Sequence, residues 1–359
     1  MTDVVVIGGG PAGSSAAIRL ARTGRKVRLY EKSHFPRPKL CGGFLSTEGL
    51  EDLENLDILS SLRNSGAIPL YRSVLAPQRG GAIESALPGE ALSVSRDVLD
   101  HLLLEKARTS GVDVHEGEDG FNHSEEGAFT VMASGRMSPS PDERRRNHFF
   151  PWYASPSTHY FGIQAFFQGV TGVTDQVELD LVEDGYVGLA PLSRGVNVCA
   201  LTTQRALQRW GPDLDQVLAH FTDENPTLRR HLATASRTGD WLAVGPVRLG
   251  IRRLARDRTF YIGDAACVVD PFAGEGMSIG LYSSKLLTRA LDQTSMPPAE
   301  AYARLWRNAF LPALRWNAAL RFFYAVPFLR EPTLAAMEWF PRALTWATDL
   351  TRYRRLESL

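Results

Sequence analysis

Six residues, Gly8-Gly9-Gly10-Pro11-Ala12-Gly13, place a G-x-G-x-x-G pattern between an apolar run (residues 3–7) and a helix-like stretch (residues 12–23). Each type has a physical job. Gly8 permits the tight turn, Gly10 lets the backbone approach a pyrophosphate, and Gly13 allows close helix–strand packing. The helix that Pro11 and Ala12 open offers unpaired N–H groups and the positive end of its dipole to phosphate. Glu31 follows at the end of a second strand pattern (residues 26–30), with Lys32 beside it. Its carboxylate is placed to accept hydrogen bonds from an adenosine ribose. A turn that merely packs a helix on a sheet explains the glycines but not this acid. The motif therefore predicts adenine dinucleotide binding.

A second segment, residues 260–276 (FYIGDAACVVDPFAGEG), separates the possible dinucleotides. A strand ends at Gly263 and Asp264, and an Asp there can accept a hydrogen bond from a polyol hydroxyl. Pro271 and the turn Gly274-Glu275-Gly276 then start a helix at Met277. Its first N–H groups face an anionic acceptor, which on a reduced flavin is the N1–C2=O side of the ring. These residues point to FAD.

With both motifs in hand, the chain resembles the FAD-dependent group that holds the geranylgeranyl reductases and the aromatic hydroxylases of the p-hydroxybenzoate hydroxylase fold. The resemblance runs over roughly residues 1–290. It is carried by the first motif with Glu31, by Ser93-Val94-Ser95-Arg96-Asp97-Val98-Leu99-Asp100, and by the second segment, in order and spacing. Pro36-Arg37-Pro38-Lys39-Leu40-Cys41-Gly42-Gly43 is more like the reductase branch. The resemblance implies that Arg96 lies close to the FAD and that Asp264 binds its polyol chain. It adds Cys41 and Gly42 to the residues expected at the cofactor.

The chain also departs from its relatives. Aromatic hydroxylases carry an Asp-Gly motif where this chain reads Met132-Ala133-Ser134-Gly135-Arg136, which counts against ordinary NADPH use. The reductase pattern Tyr-x-Trp-x-Phe-Pro here is Tyr186-Val187-Gly188-Leu189-Ala190-Pro191, with both bulky aromatics replaced. Flavin halogenases resemble the group too, but their Trp-x-Trp motif and lysine region are missing.

Cys41 is the candidate catalytic residue, a thiol able to donate a proton or tune the flavin; packing as a small hydrophobe is its alternative. Cys199 and Cys267 read as packing residues. His34 is a candidate acid or base that reads equally as an exposed loop histidine. Lys39 and Arg37 can guide an anion or stand solvated. Arg144-Arg145-Arg146 reads as a solvated run. No histidine spacing suits a metal, so no metal site is expected.

The elements around these residues define an α/β chain with α+β elements. A Rossmann-like FAD-binding domain carries an inserted antiparallel-sheet substrate domain and a C-terminal helical region. Residues 1–75 form the first part of the FAD-binding domain, and 76–95 are strands of the substrate domain. Residues 96–158 are the second part with a mobile loop over 136–158. Residues 159–250 form the antiparallel-sheet substrate domain, 251–295 the third FAD-binding part, and 296–359 the C-terminal helices. Asp97 is the expected cap of a helix over 97–110, with Leu99, Leu102, Leu103 and Lys106 as its inner stripe.

The chain has 359 residues, room for about two domains, and a formal net charge of zero, so nothing draws it to nucleic acid. Three scattered cysteines do not make a disulfide framework. No apolar run of spanning length and no leader-like N-terminus occur, so a cytoplasmic protein is expected. Aromatic residues crowd about 40 positions, from Trp306 to Trp346. They either pack the helices inward or form a lining or monotopic membrane face for a long apolar substrate. Three functions follow: C=C reduction in an isoprenoid, lipid-like or polyketide substrate, with Cys41 as proton donor; hydroxylation of an aromatic or polyketide ring; or a non-redox FAD cyclase or flavin carrier. NAD(P)H is the candidate electron donor. The partner expected is a hydrophobic small molecule, with peripheral membrane contact through the C-terminal helices as an option and oligomeric state left open.

Overall fold

The computed structural model describes residues 2–123, 127–137, 160–325, 327–339, 341–353 and 355–356. The chain begins β1 (Val4–Ile7), α1 (Pro11–Arg22), β2 (Val27–Glu31), β3 (Phe44–Leu45), α2 (Thr47–Asn55) and α3 (Leu59–Asn64). It continues β4 (Ile68–Ala76), β5 (Ile83–Ser93), α4 (Arg96–Thr109), β6 (Asp113–Glu116) and β7 (Phe129–Met132). Strands β8 (Tyr160–Gln168), β9 (Gln176–Val182), β10 (Gly185–Leu192) and β11 (Gly195–Thr203) precede α5 (Gln204–Trp210), α6 (Leu214–Glu224) and α7 (Pro226–Leu232). Then come β12 (Ser236–Val247), β13 (Gly250–Ile251), β14 (Ala255–Arg256), β15 (Thr259–Tyr261) and β16 (Cys267–Val268). The chain closes with α8 (Gly276–Asp292), α9 (Pro298–Ala325), α10 (Pro327–Trp339) and α11 (Pro341–Thr351).

Two sheets organise these elements. A six-stranded sheet runs β14-β15-β7-β1-β2-β6, parallel except at β14. All four residues of β1 are buried, as a central parallel strand covered on both faces requires. Its faces are filled from α1, α4 and α8, and from α9 through Trp306 and Phe310. The second sheet has eight strands in the order β12-β8-β11-β10-β9-β4-β5-β3. Helices α6 and α7 cover one of its faces, where Val217, Leu218, Phe221 and Leu228 pack on Ile163, Val187, Leu189 and Val198. Its other face turns toward the first sheet and the C-terminal helices.

The architecture is the one expected, a Rossmann-like domain with an inserted sheet and C-terminal helices. Several details differ. β4 starts at Ile68, inside the span assigned to the first FAD-binding part, and lies in the large sheet. That sheet is not wholly antiparallel, because β4 pairs with β9 in parallel. The cap of α4 is Ser95, not Asp97. The inner stripe of α4 is Leu99, Leu103, Leu104 and Ala107, with Asp100 also buried. Lys106 instead reaches Asp57 at the surface, 3.2 Å away. Of the loop over 136–158, only Arg136 and Met137 fall among the described residues, and Arg144-Arg145-Arg146 lies outside them. The crowded aromatics divide: Trp306 and Phe310 are core, while Trp316, Phe322, Phe323, Phe328, Trp339 and Trp346 are exposed.

Candidate active site

The turn between β1 and α1 is as tight as its glycines allow. Gly8 has φ +107°, and a Cβ on Gly13 would lie 1.8 Å from the Gly8 carbonyl oxygen. Gly8 and Gly13 thus shape the turn, while Gly10, Pro11 and Ala12 face a cavity of about 340 Å³. Glu31 is buried at the end of β2. One carboxylate oxygen accepts from the Gly9 N–H (2.8 Å), the other from the Ser33 N–H (3.1 Å), and Arg37 stands 3.6 Å away. Each oxygen keeps a second lone pair. Lys32 is exposed and lies outside the cavity wall.

Two cations stand over the start of α1. A Cβ on Gly10 would meet Arg96 Nη2 at 3.7 Å and Lys39 Nζ at 4.0 Å. Arg96 donates to both oxygens of Asp100, each at 2.7 Å, one turn further along α4. Burial works against the guanidinium charge, but this carboxylate raises the pKa above its ordinary value. Lys39 is pushed down to about 8, by burial first and then by Arg96. In sequence Lys39 is a loop cation after Pro38, a place where a solvated charge and an anion guide look alike.

The reductase-like loop is held by the large sheet. The Cys41 N–H donates to Gln164 Oε1 (2.8 Å), and Asn197 Nδ2 donates to the Cys41 carbonyl (2.9 Å). Gln164 and Asn197 had not been singled out. The available signal was a polar residue interrupting an otherwise apolar strand, in FGIQAFF and VNVCAL. The Gly43 N–H faces Cys41 Sγ at 3.4 Å, and the space around Gly42 is open. Cys41 and Gly42 both line the cavity. Cys199 lines it too, rather than serving as packing alone, and burial pushes its thiol up to about 12. Cys267 is buried. His34 is exposed against Gly117, away from the cavity.

The second motif closes the other side. Gly263 (φ +58°) lets the short 3-10 turn Gly263–Ala265 sit against Ala12, and Asp264 faces the cavity with Arg136 at 4.0 Å. Pro271, Gly274, Gly276 and Met277 line the wall at the start of α8. Glu275 does not. Its side chain is fully buried, paired with Arg352 from the C-terminal segment and approached by the Ser46 hydroxyl at 3.3 Å. The G-E-G turn thus gives the cavity its backbone and turns its carboxylate away.

This arrangement fits FAD. An uncapped helix start with two cations suits a pyrophosphate. A carboxylate at the end of β2 suits a ribose, and Asp264 a polyol. The buried Ser134 hydroxyl, between lining residues Ala133 and Gly135, has no partner among the described residues. No cluster of metal ligands occurs among the described residues.

Comparisons with known proteins agree. Residues 1–140 match the family model described as "FAD binding domain". The chain is 29% identical over 383 residues to a menaquinone reductase of Mycobacterium tuberculosis (strain H37Rv), covering 97% of this chain and 87% of that one. It is 25% identical over 352 residues to digeranylgeranylglycerophospholipid reductase 2 of Methanopyrus kandleri, covering 86% and 83%. In fold it matches a flavin-dependent brominase with a TM-score of 0.75 at 18% identity, over 98% of this chain and 93% of that one. The protein is an FAD-dependent oxidoreductase. Its motifs, and its similarity to the two reductases over most of their length, point the same way. Halogenases stand among the relatives beside reductases, so the missing Trp-x-Trp motif does not by itself separate the two chemistries.

Proposed function

We propose that the protein reduces a carbon–carbon double bond in a hydrophobic, isoprenoid-bearing or quinone-type substrate. The observation that carries this reading is the composition of the cavity beyond the cofactor residues. There Leu75, Leu179, Leu181, Leu201, Leu334 and Met337 line the wall, with Cys41 at the junction with the cofactor side. An apolar chamber favours a substrate held by burial rather than by charge. Gly188, standing where reductase relatives carry a Trp, lies on the same wall and leaves room for a wide substrate. The names of the two reductase relatives agree with such a substrate class.

FAD, when bound and reduced, would supply the hydride. The chain's own residues orient the substrate and deliver the proton. Cys41 Sγ gives its proton to the neighbouring carbon, and the Gly43 N–H at 3.4 Å stabilises the thiolate left behind. Arg96 also attracts that thiolate. Solvent then returns the proton to sulfur.

The test uses the holoprotein, reduced without oxygen and mixed anaerobically with menaquinone or with a geranylgeranyl lipid. Reoxidation of the flavin, with a product heavier by two hydrogens, is the expected result. A product that gains oxygen or halogen, formed only in air, would give the reaction to the hydroxylase or halogenase reading. Cys41→Ala should lower turnover by about a hundredfold or more, the usual size of a lost general acid. Cys41→Ala with full turnover removes the thiol from the mechanism. NAD(P)H is the donor to supply first, and its failure to reduce the flavin directs the search to another reductant.

A further inference from the structure

Helix α10 is apolar on two opposite sides. Its inner side puts Leu334 and Met337 on the cavity, where Leu334 is buried with Leu75, Leu181, Tyr186 and Leu201. Its outer side carries Phe328 and Trp339, 76% and 82% exposed. Eleven residues separate the two, which returns them to within about 20° of one another around a helix of 3.6 residues per turn. A surface helix normally keeps one polar side. The neighbouring helices extend the outer patch: Trp316, Phe322 and Phe323 of α9 and Trp346 of α11 are exposed, with Trp316 and Trp346 in edge contact at 6.0 Å.

Charge chooses the occupant. On α9 the exposed charged residues between Glu300 and the aromatics are Arg304, Arg307 and Arg315. No carboxylate follows Glu300 until Glu331. Of the arginines further along, Arg321 and Arg352 are paired with the buried Asp270 and Glu275, so Arg304, Arg307 and Arg315 carry the positive charge of this surface. Glu331 and Glu338 of α10 are tied to Arg79 in the turn between β4 and β5, at 3.3 and 2.5 Å. Arginine beside exposed Trp and Phe is the combination that seats an element in the headgroup layer of an anionic bilayer. Among the described residues no helix is long and apolar enough to cross a membrane.

We infer that the outer face of α9, α10 and α11 docks on an anionic lipid bilayer, in the interfacial plane. The cavity then lies one helix away from the lipid, so an apolar substrate reaches it without passing through water. Only this last step rests on the proposed substrate class; docking itself is tested without substrate.

The experiment mixes the FAD-loaded protein with phosphatidylcholine vesicles, with and without roughly a third phosphatidylglycerol, and separates them by flotation. Binding to the anionic vesicles is expected. Phe328→Ser with Trp339→Ser should lower partitioning by at least roughly tenfold, the size expected for withdrawing two large aromatics from an apolar phase. FAD content and sedimentation of the free protein should not change. Tryptophan emission of the unaltered protein should also be quenched by brominated lipid, and less so in Trp339→Phe, which serves if the double variant misfolds. No binding to either vesicle overturns the inference, as does binding that the variants leave unchanged. A double variant that converts a dimer to a monomer assigns the face to a second copy of this chain and overturns it too.

Discussion

Lys39 shows how much a single side chain can owe to its surroundings. Burial, then Arg96, lowers its pKa to about 8, so the ammonium is charged below that pH and neutral above it. Its attraction for an anion at the start of α1 is therefore present below about pH 8 and lost as pH rises through it. A bound pyrophosphate pulls the pKa upward and spreads that loss to higher pH. FAD affinity of the apoprotein should weaken several-fold between neutral and mildly alkaline pH, and Lys39→Met should flatten the profile. An unchanged slope in the variant would place Lys39 away from the phosphates. Asp180 makes the opposite case. Burial, then Glu178, pushes its carboxyl well above the usual range, and both its oxygens are buried without a hydrogen-bond partner among the described residues. A raised carboxyl pKa means stability present at low pH and lost as pH rises past the unfolded value. Asp180→Asn should thus stabilise the fold at pH 8 by about 1 kcal/mol or more, and by less at pH 6, in urea titrations. Destabilisation at both pH values would contradict this. The glycines, Glu31 and Asp264 were legible in the sequence because each residue type has one backbone or hydrogen-bonding job. Lys39 was not, since its environment is made by residues from other segments.

At the scale of elements, the G-E-G turn is braced by the C-terminal segment. Glu275 is fully buried and pairs with Arg352, which also stands 3.9 Å from Glu48 of α2. Removing one member of a buried pair typically costs about 3–5 kcal/mol, because the other charge is left uncompensated. Glu275→Gln should therefore release FAD more readily and shift the visible flavin spectrum, and adding Arg352→Met should recover part of the loss. An additive double variant would mean the two residues act independently. Pattern reading foresaw the turn but not the brace, because the partner lies 77 positions away. The same limit explains the other misses. β1, α1 and β2 were legible because apolar runs and a Gly-rich turn mark them within their own segment, although their partners β7, β6 and α8 lie far along the chain. The inner side of α4 was misassigned by a few positions, since Asp100 is buried by pairing with Arg96 and not by being apolar. The parallel pairing of β4 with β9 joins segments about 100 residues apart, and alternation within either strand says nothing of it.

Over the whole molecule, the cavity belongs to no single domain. The first sheet supplies the cofactor side, the large sheet the apolar floor, and α10 the outer wall. The wall is fixed to the floor by a small cluster in which Leu334 is the one buried residue of α10 among the described residues. This differs in kind from the hold on α9, whose Tyr302, Trp306 and Phe310 are part of the main core. Stability is therefore uneven, and α10 is expected to open at a lower free energy than the FAD-binding domain. Leu334→Ala tests that. Truncating a buried Leu costs about 2–5 kcal/mol where it is fully felt. If α10 is a separable wall, the cost falls on local opening. Hydrogen exchange should then quicken in residues 327–339 while residues 4–31 keep their protection. Flavin absorbance should stay as it was, and the KM for an apolar substrate should rise more than kcat falls. If exchange quickens everywhere and FAD is lost in the same transition, the wall and the cofactor domain form one cooperative unit. The cavity could then open to an apolar substrate only at the cost of the flavin site itself.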